Sequence, residues 1–348
     1  MPADGSSLDT RLIELGSEVD SWTRLLLEAE ISHDAERFGG MLAYHLGWRD
    51  EALARLERPG GTGKKLRCGI ALLTCEALTG LIAPAGGAAV ALELVHNFSL
   101  VHDDIQDESD IRRHRPTVWK LWGVAQGINV GDALFALAQV ALVRLSAEDV
   151  AARLLLELNR TCVRLVEGQY LDLAMQHEAR VPSLAEYEGM IARKTAALFA
   201  CAARLGAIAG GATLEQEEAL AEFGYQLGLG FQEQDDVLGV WATEAETGKP
   251  VAADVGARKK GLPAVLALHG SAAPEWLRTL YLGPAALAPA DVPRIVNAFE
   301  QAGVQAEAER RVEAHFALAR EALSRVGLRG PSAELLQMLT RGLTGRKA

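Results

Sequence analysis

Apolar residues recur along this chain at three- and four-residue intervals, in stretch after stretch punctuated by Gly and Pro. The pattern predicts helices over 8–30, 34–57, 64–81, 86–108, 117–144, 148–177, 183–209, 214–240, 261–269, 291–302, 305–326 and 331–342. Strict alternation of apolar and polar positions is not sustained anywhere, and no repeat of fixed period is found. The loops of consequence are "RPGGTG" (58–63), "ARVPS" (179–183) and "ATEAETGKPVAADVGARKKG" (242–261). None reads as a long disordered linker, so the expectation is one all-α domain over 1–348, an antiparallel helical bundle with its sites between facing helices.

Composition strengthens the helical reading. Of the 348 residues, 49% are hydrophobic and only 5% aromatic, with Ala and Leu dominating, which favours helix over strand. The segment "ALTGLIAPAGGAAVAL" (77–92) is the most membrane-like, but it falls short of the roughly 20 residues a span needs and is broken by Pro84, Gly86 and Gly87. It reads as two buried helices joined by a turn, with no integral membrane segment. The N-terminus is acidic and lacks the regions of a signal peptide, and Cys68, Cys75, Cys162 and Cys201 lie in apolar surroundings without metal or redox spacing. Reduced core thiols in a cytoplasmic protein are expected.

A formal charge of −11 argues against nucleic acid as a partner, because the overall field repels polyanions. Small anions remain possible where cations are gathered locally. A local cluster of carboxylates, followed at once by Arg112, Arg113 and Arg115, stands in "LVHDDIQDESDIRRHRPTVW" (100–119), where Asp103 and Asp107, and Asp104 and Glu108, are i,i+4 neighbours. Each bare like-charge pair costs about 0.2–0.5 kcal/mol. A bound cation reverses the sign, and Mg²⁺ is suited to one or two carboxylates plus phosphate oxygens. A solvated acidic helix end is the competing reading for this motif alone.

A second acidic turn, Asp235-Asp236 in "FQEQDDVLGVW", follows an apolar, glycine-spaced approach, with Gln232 one turn earlier. Two such turns opposed across a bundle would make a box for a trinuclear metal cluster around a diphosphate. Cations occur where such a ligand needs them. "GTGKKLRCG" offers Lys64 and Arg67 near a helix start, and it is no nucleotide P-loop, which would require Gly at Arg58 and Ser or Thr at Lys65. Further along stand Gln169 and Asp172, then Lys194 and Thr195 amid apolar residues, then Lys249, Asp254, Lys259 and Lys260 in a loop. Each alone is compatible with a surface charge, although Lys194 in an apolar helix demands a partner. His96 alone is compatible with a satisfied core histidine.

Together these residues resemble the trans-isoprenyl diphosphate synthases, or polyprenyl synthetases. The match runs over residues 60–345 and includes "GKKLR", "ELVHNFSLVHDDIQDESDIRRHRPTVW", "GDALFALA", "EGQYLDL", "RKTAALF", "GFQEQDDVLGVW" and "TGKPVAADVGARKKGLP" in the family's order. The resemblance implies an all-α fold with a deep central cavity, a homodimer, and Mg²⁺ held by Asp103, Asp104, Asp107 and Asp235, with Asp236 in the second motif. It implies contacts to an allylic diphosphate (dimethylallyl, geranyl or farnesyl) from Arg112, Lys194, Thr195, Gln232, Lys249 and Lys259, and a pocket for isopentenyl diphosphate from Lys64, Arg67, His96 and Arg113. The implied catalytic group is Asp103, Asp104, Asp107, Lys194, Asp235 and Asp236.

Three positions depart from the family's pattern. Gly239 stands where a third acid is usual, Cys68 follows Arg67 in place of Pro, and Gly261 replaces Thr before Leu-Pro. Phe98, five positions before Asp103, with the small Ser99 at four, resembles a geranylgeranyl-type floor and implies a C20 product over farnesyl or C25. The rivals are a terpene cyclase of the same fold, disfavoured by the second diphosphate pocket, and a non-catalytic partner subunit, disfavoured by both Asp pairs. The segment "ISHDAERFGGMLAYHLGWRDE" (31–51) carries no assigned chemistry.

Overall fold

The computed structural model describes residues 5–57, 60, 63, 65–244, 251–269, 273–283 and 287–342. They are almost wholly helical. The contacts group into two compact units, one of Met1–Asn159, Ala202–Glu217 and Arg329–Leu335, the other of Arg160–Cys201, Glu218–Leu328 and Leu336–Ala348.

The first unit is built around α3 (Leu66–Thr79) and α4 (Gly86–Gln106), with α1 (Gly5–Glu30) packed on both. The 77–92 stretch is indeed two helices with a turn between them, and α4 is buried along most of its length. Its broadest neighbour is α6 (Val124–Leu145), which presents Val130, Leu134, Ala138, Ala141 and Leu142 on its buried side. Among the described residues α6 alone is long and apolar enough to cross a membrane, and 39% of that window is buried inside the protein.

Two departures from the predicted helices matter here. The helix expected over 34–57 ends at His45, where α2 (Glu36–His45) stops. Gly47 takes φ 80°, and Asp50 Oδ1 accepts from the backbone N–H of Ala52 and Ala54 at 3.0 and 2.8 Å, closing a side-chain turn that competes with helix. The helix expected over 117–144 is broken into α5 (Val118–Trp122) and α6 by Gly123 at φ 87°.

Between α4 and α5 lies a small hairpin that the apolar pattern does not predict. Strand β1 (Ile111–Arg112) pairs antiparallel with β2 (Arg115–Pro116), with Arg112 opposite Arg115. Its two central residues, Arg113 and His114, both have positive φ, 51° and 61°. That is the requirement of a type I′ turn, normally met by Asn-Gly, and two non-glycine residues there are strained.

The second unit contains most of α7 (Glu148–His177), then α8 (Leu184–Ile191), a π-helical turn Ala192–Ala196, the first turn of α9 (Ala197–Ala209) and all but the first turn of α10 (Leu214–Trp241). Ser183 starts α8 with a capping box: its hydroxyl accepts from Glu186 N, and its own N–H donates to Glu186 Oε2 at 2.7 Å. Tyr187, Val255, Leu262, Ile295 and Phe299 form the buried heart of this unit. A helix over Glu275–Leu282 was absent from the apolar pattern's predictions, being only about two turns long.

All four cysteines are buried free thiols. Burial raises the pKa of Cys68 and Cys75, and pushes Cys162 up to about 12. Cys68, the departure after Arg67, donates its thiol to Lys65 O at 3.0 Å, and so serves the start of α3 as a small buried donor.

Candidate active site

In the first unit, Asp103 and Asp107 stand one turn apart at the end of α4, Asp107 N donating to Asp103 O at 2.8 Å. Asp107 is exposed and Asp103 partly so. Asp104 faces the other way: it is 1% exposed, and Arg112 Nε donates to its Oδ1 at 2.7 Å. Burial raises the Asp104 pKa and the Arg112 charge opposes that shift. Glu108 is exposed, and Asp110 forms a surface pair with Lys120 at 2.9 Å.

Beside this acidic turn the structure assembles Arg67, His96 and Arg113. Arg67 Nη1 lies 3.4 Å from His96 Nε2. His96 is held well below the usual imidazole range, by burial first and then by Arg67, Arg113, Arg112 and His45, so the ring is neutral and can accept from the guanidinium. Burial lowers Arg67 to about 10, with the buried carboxylate of Glu93 opposing the shift, and Glu93 opposes the lowering of Arg113 in the same way. Arg112 and Arg113 are adjacent in sequence yet face different company, because the hairpin turn intervenes after Arg112. Lys65 forms an ion pair with Asp20 of α1. Lys64, the other cation expected here, lies outside the described residues.

In the second unit the residues of the other motif form a connected hydrogen-bond network. Thr195, in the π-helical turn, donates its hydroxyl to Gln232 Oε1 at 2.7 Å, and Gln232 Nε2 donates to Asp236 Oδ1 at 3.1 Å. Asp236 also accepts from Tyr187 Oη at 2.8 Å, from Leu262 N at 2.9 Å and from Lys259 Nζ at 3.3 Å. Asp236 is therefore a buried hub that orients Gln232 and Lys259, while its neighbour Asp235 is exposed. Lys194 Nζ pairs with Asp172 of α7, the partner its apolar surroundings demanded. Asp236 raises the pKa of Lys259, with Asp254 and Asp235 adding to the effect, so its ammonium keeps its charge. Lys249 lies outside the described residues.

Two of the sequence departures find a steric explanation in this network. A Cβ on Gly239 would sit 2.3 Å from Asp254 Oδ2, so the space beside the acid-poor position is filled by the Asp254 carboxylate, which accepts from Lys259 at 3.2 Å. A Cβ on Gly261 would come within 2.7 Å of Asp236 Oδ2. Glycine at each position leaves room for a carboxylate. Tyr187 and Glu93 were not among the sequence-predicted site residues, and Asp254 stood there only as one charge of a loop; the fold brings all three to the site.

The donor set can be weighed against Mg²⁺. No group of three Asp, Glu, His or Cys side chains that could hold a metal is gathered among the described residues. Asp103 with Asp107 in the first unit, and Asp235 in the second, offer hard oxygens in ones and twos. That suits an ion which completes its shell with water and phosphate oxygens rather than a closed protein cage.

The polyprenyl synthetase family model matches residues 51–299 of this sequence. The chain belongs to the polyprenyl synthetase family. The match begins before residue 60 and ends well before 345, the limits between which the motifs were read. The chain is 39% identical over 84% of its length to the geranylgeranyl diphosphate synthase of Mycobacterium tuberculosis (strain ATCC 25618 / H37Rv), covering 84% of that protein. It is 36% identical over 88% of its length to the (2E,6E)-farnesyl diphosphate synthase of Mycobacterium bovis (strain ATCC BAA-935 / AF2122/97), covering 86% of that protein. The crystal structure of a polyprenyl synthetase from Streptomyces coelicolor A3(2) superposes with a TM-score of 0.89 at 34% identity, covering 98% of this chain and 99% of that one. Membership makes this chain a prenyltransferase with the all-α fold of the isoprenyl synthases.

Proposed function

We propose that the chain joins isopentenyl diphosphate to an allylic diphosphate in the trans configuration, with geranylgeranyl diphosphate as the main product. The observation that carries this reading is the pairing of two kinds of site in one chain. The acidic turns at Asp103/Asp107 and Asp235 suit a metal-bound allylic diphosphate, and the separate cationic cluster of Arg67, His96 and Arg113 suits a second diphosphate.

Asp103 and Asp107 at one acidic turn, and Asp235 at the other, would hold Mg²⁺, which would supply charge neutralisation for ionisation of the allylic C–O bond. The chain's own cations continue that task. Lys194 and Lys259 are fixed ammonium groups, held by Asp172 and by the Asp236–Asp254 pair, and they bind the departing diphosphate without reorganising. Arg112 is oriented by Asp104 toward the same substrate, and Thr195 and Gln232 position it further. Arg67 and Arg113 hold isopentenyl diphosphate, with neutral His96 fixing Arg67 as it does so. The double bond of that substrate attacks the allylic cation, and the released diphosphate accepts the proton. The reaction requires an apolar cavity, because water would quench the cation.

Incubating the purified chain with Mg²⁺, isopentenyl diphosphate and dimethylallyl, geranyl or farnesyl diphosphate in turn should give elongation to C20. No elongated product from any starter would overturn the reading.

The proposal extends to a cytoplasmic homodimer. Its support is α7, where Leu156, Val163, Val166 and Tyr170 are 52–70% exposed along one stripe about 21 Å long. The opposite side of the helix already carries Leu154, Leu158 and Leu165 into the core. A second copy would cover an apolar stripe of this length. Light scattering on the wild type should give twice the chain mass, and Val163→Glu with Val166→Glu should halve it; an unchanged mass in that variant would place the interface elsewhere.

A further inference from the structure

His45 is the last residue of α2, outside the stretch that matches the family model, in a segment to which the sequence assigned no chemistry. Together with Tyr44, Asp104, Arg112, Arg113 and Arg115 it lines a close-packed pocket of about 30 Å³. That space admits a water molecule but no diphosphate, so any part His45 plays in substrate binding passes through the arginines.

The turn that carries Arg113 is strained, with both central residues at positive φ, and it persists only because its surroundings hold it. The end of α2 supplies that hold on one side. Tyr44 Oη donates to Pro116 O at 2.7 Å, and the Arg115 guanidinium lies over the Tyr44 ring at 4.0 Å. On the other side, α4 fixes an amide. Asn97 Nδ2 donates to Glu93 O at 2.8 Å and to Glu93 Oε1 at 2.9 Å, which turns Asn97 Oδ1 away from Glu93. Asn97 lies alongside the His45 ring. Asn97 Oδ1 and His45 Nε2 are both buried and without a hydrogen bond, an acceptor and a ring nitrogen left unsatisfied on neighbouring side chains.

We propose that His45 is a positioning residue of the isopentenyl diphosphate pocket: seated beside Asn97, its ring buttresses the strained hairpin so that Arg113 points at the substrate while Arg112 stays on Asp104. Burial, with Arg113 and Arg112 nearby, lowers its pKa to about 3, so it adds no third positive charge behind the two guanidinium groups.

The inference rests on the reading of Arg113 given above, and two readouts keep the pair distinguishable. In steady-state assays, His45→Phe should raise KM for isopentenyl diphosphate roughly tenfold, as Arg113 loses its orientation and part of its charge-assisted contact to the diphosphate. Both kcat and KM for the allylic substrate should stay within about twofold of wild type. His45→Gln, which keeps a neutral hydrogen-bonding group, should recover most of that KM. Equal damage to both substrates, or a Gln variant no better than Phe, would overturn the proposal as would an unaltered KM. Calorimetric binding of isopentenyl diphosphate alone gives the second readout, and weaker binding to His45→Phe than to wild type would support the proposal even if no elongation occurs. Equal binding to wild type and both variants would sink it whether or not the enzyme turns over.

Discussion

Asp103→Asn should lower kcat by roughly 10²–10³-fold, the usual loss when one group stabilising charge at a leaving oxygen is removed, and should move the Mg²⁺ dependence to higher concentration. The side chain keeps its size, and Asp103 is not the hub of a buried network, so the melting temperature should change little. The expectation differs for its neighbours in each motif. Asp104→Asn removes the buried counter-charge of Arg112, whose Nε stands 2.7 Å from Oδ1, and stability should fall along with activity. Asp236→Asn disturbs four hydrogen bonds at once, from Tyr187, Leu262, Gln232 and Lys259, and should cost stability before it costs metal affinity. A pair of acids that looks equivalent in sequence is thus expected to split into an exposed metal-facing member and a buried organising member, in both motifs. Rates, Mg²⁺ titrations and melting curves on the three variants test that split. Undiminished turnover in Asp103→Asn would remove the first motif from the chemistry.

The parts of the chain that were legible in sequence are those whose periodicity lasts several turns. Helices over 86–106, 148–177 and 214–241 emerge close to their predicted limits, because a continuous apolar stripe fixes both their type and their extent. The stretch after His45 misled because its Ala- and Leu-rich composition favours helix, whereas the Asp50 carboxylate diverts two backbone donors into a turn. The hairpin at 111–116 could not be seen, since strands of two residues have no period and Arg-His is not a turn signature.

The charged residues of the site were legible through the family's ordered motifs. Their supports were less so: Tyr187 on Asp236 and His45 beside Asn97 are single residues brought in from distant segments, and Asp254 was visible as a loop charge but not as the neighbour of Gly239. Gly239 shows the difference most plainly. In sequence it is the loss of an acid, and in the folded chain it is the opening that another acid fills.

The largest change of outcome, as opposed to rate, is expected at Phe98. Five residues at 1.5 Å rise place it about 7.5 Å below Asp103 along α4, where a growing chain anchored at the diphosphate would arrive after its first units. It is 8% exposed and meets Phe135 of α6 edge-to-face, with ring centroids 5.3 Å apart, and the His102 ring at 5.8 Å. Ser99, the small residue one position nearer the acids, turns its hydroxyl back to His96 O at 2.8 Å and presents no bulk. If the aromatic pair is the floor that gives a C20 product, Phe98→Ala should shift the product by one or more isoprene units, and Phe135→Ala should do the same through the other half of the pair. Truncating a buried Phe costs about 3–5 kcal/mol, so both variants should melt lower, and Phe98→Leu should keep most of the stability while still lengthening part of the product. Chromatography of the dephosphorylated products measures the shift directly. An unchanged distribution in both alanine variants would mean that neither ring is the floor. A change in Phe135→Ala alone would assign the stop to α6 and leave Phe98 with no part in it.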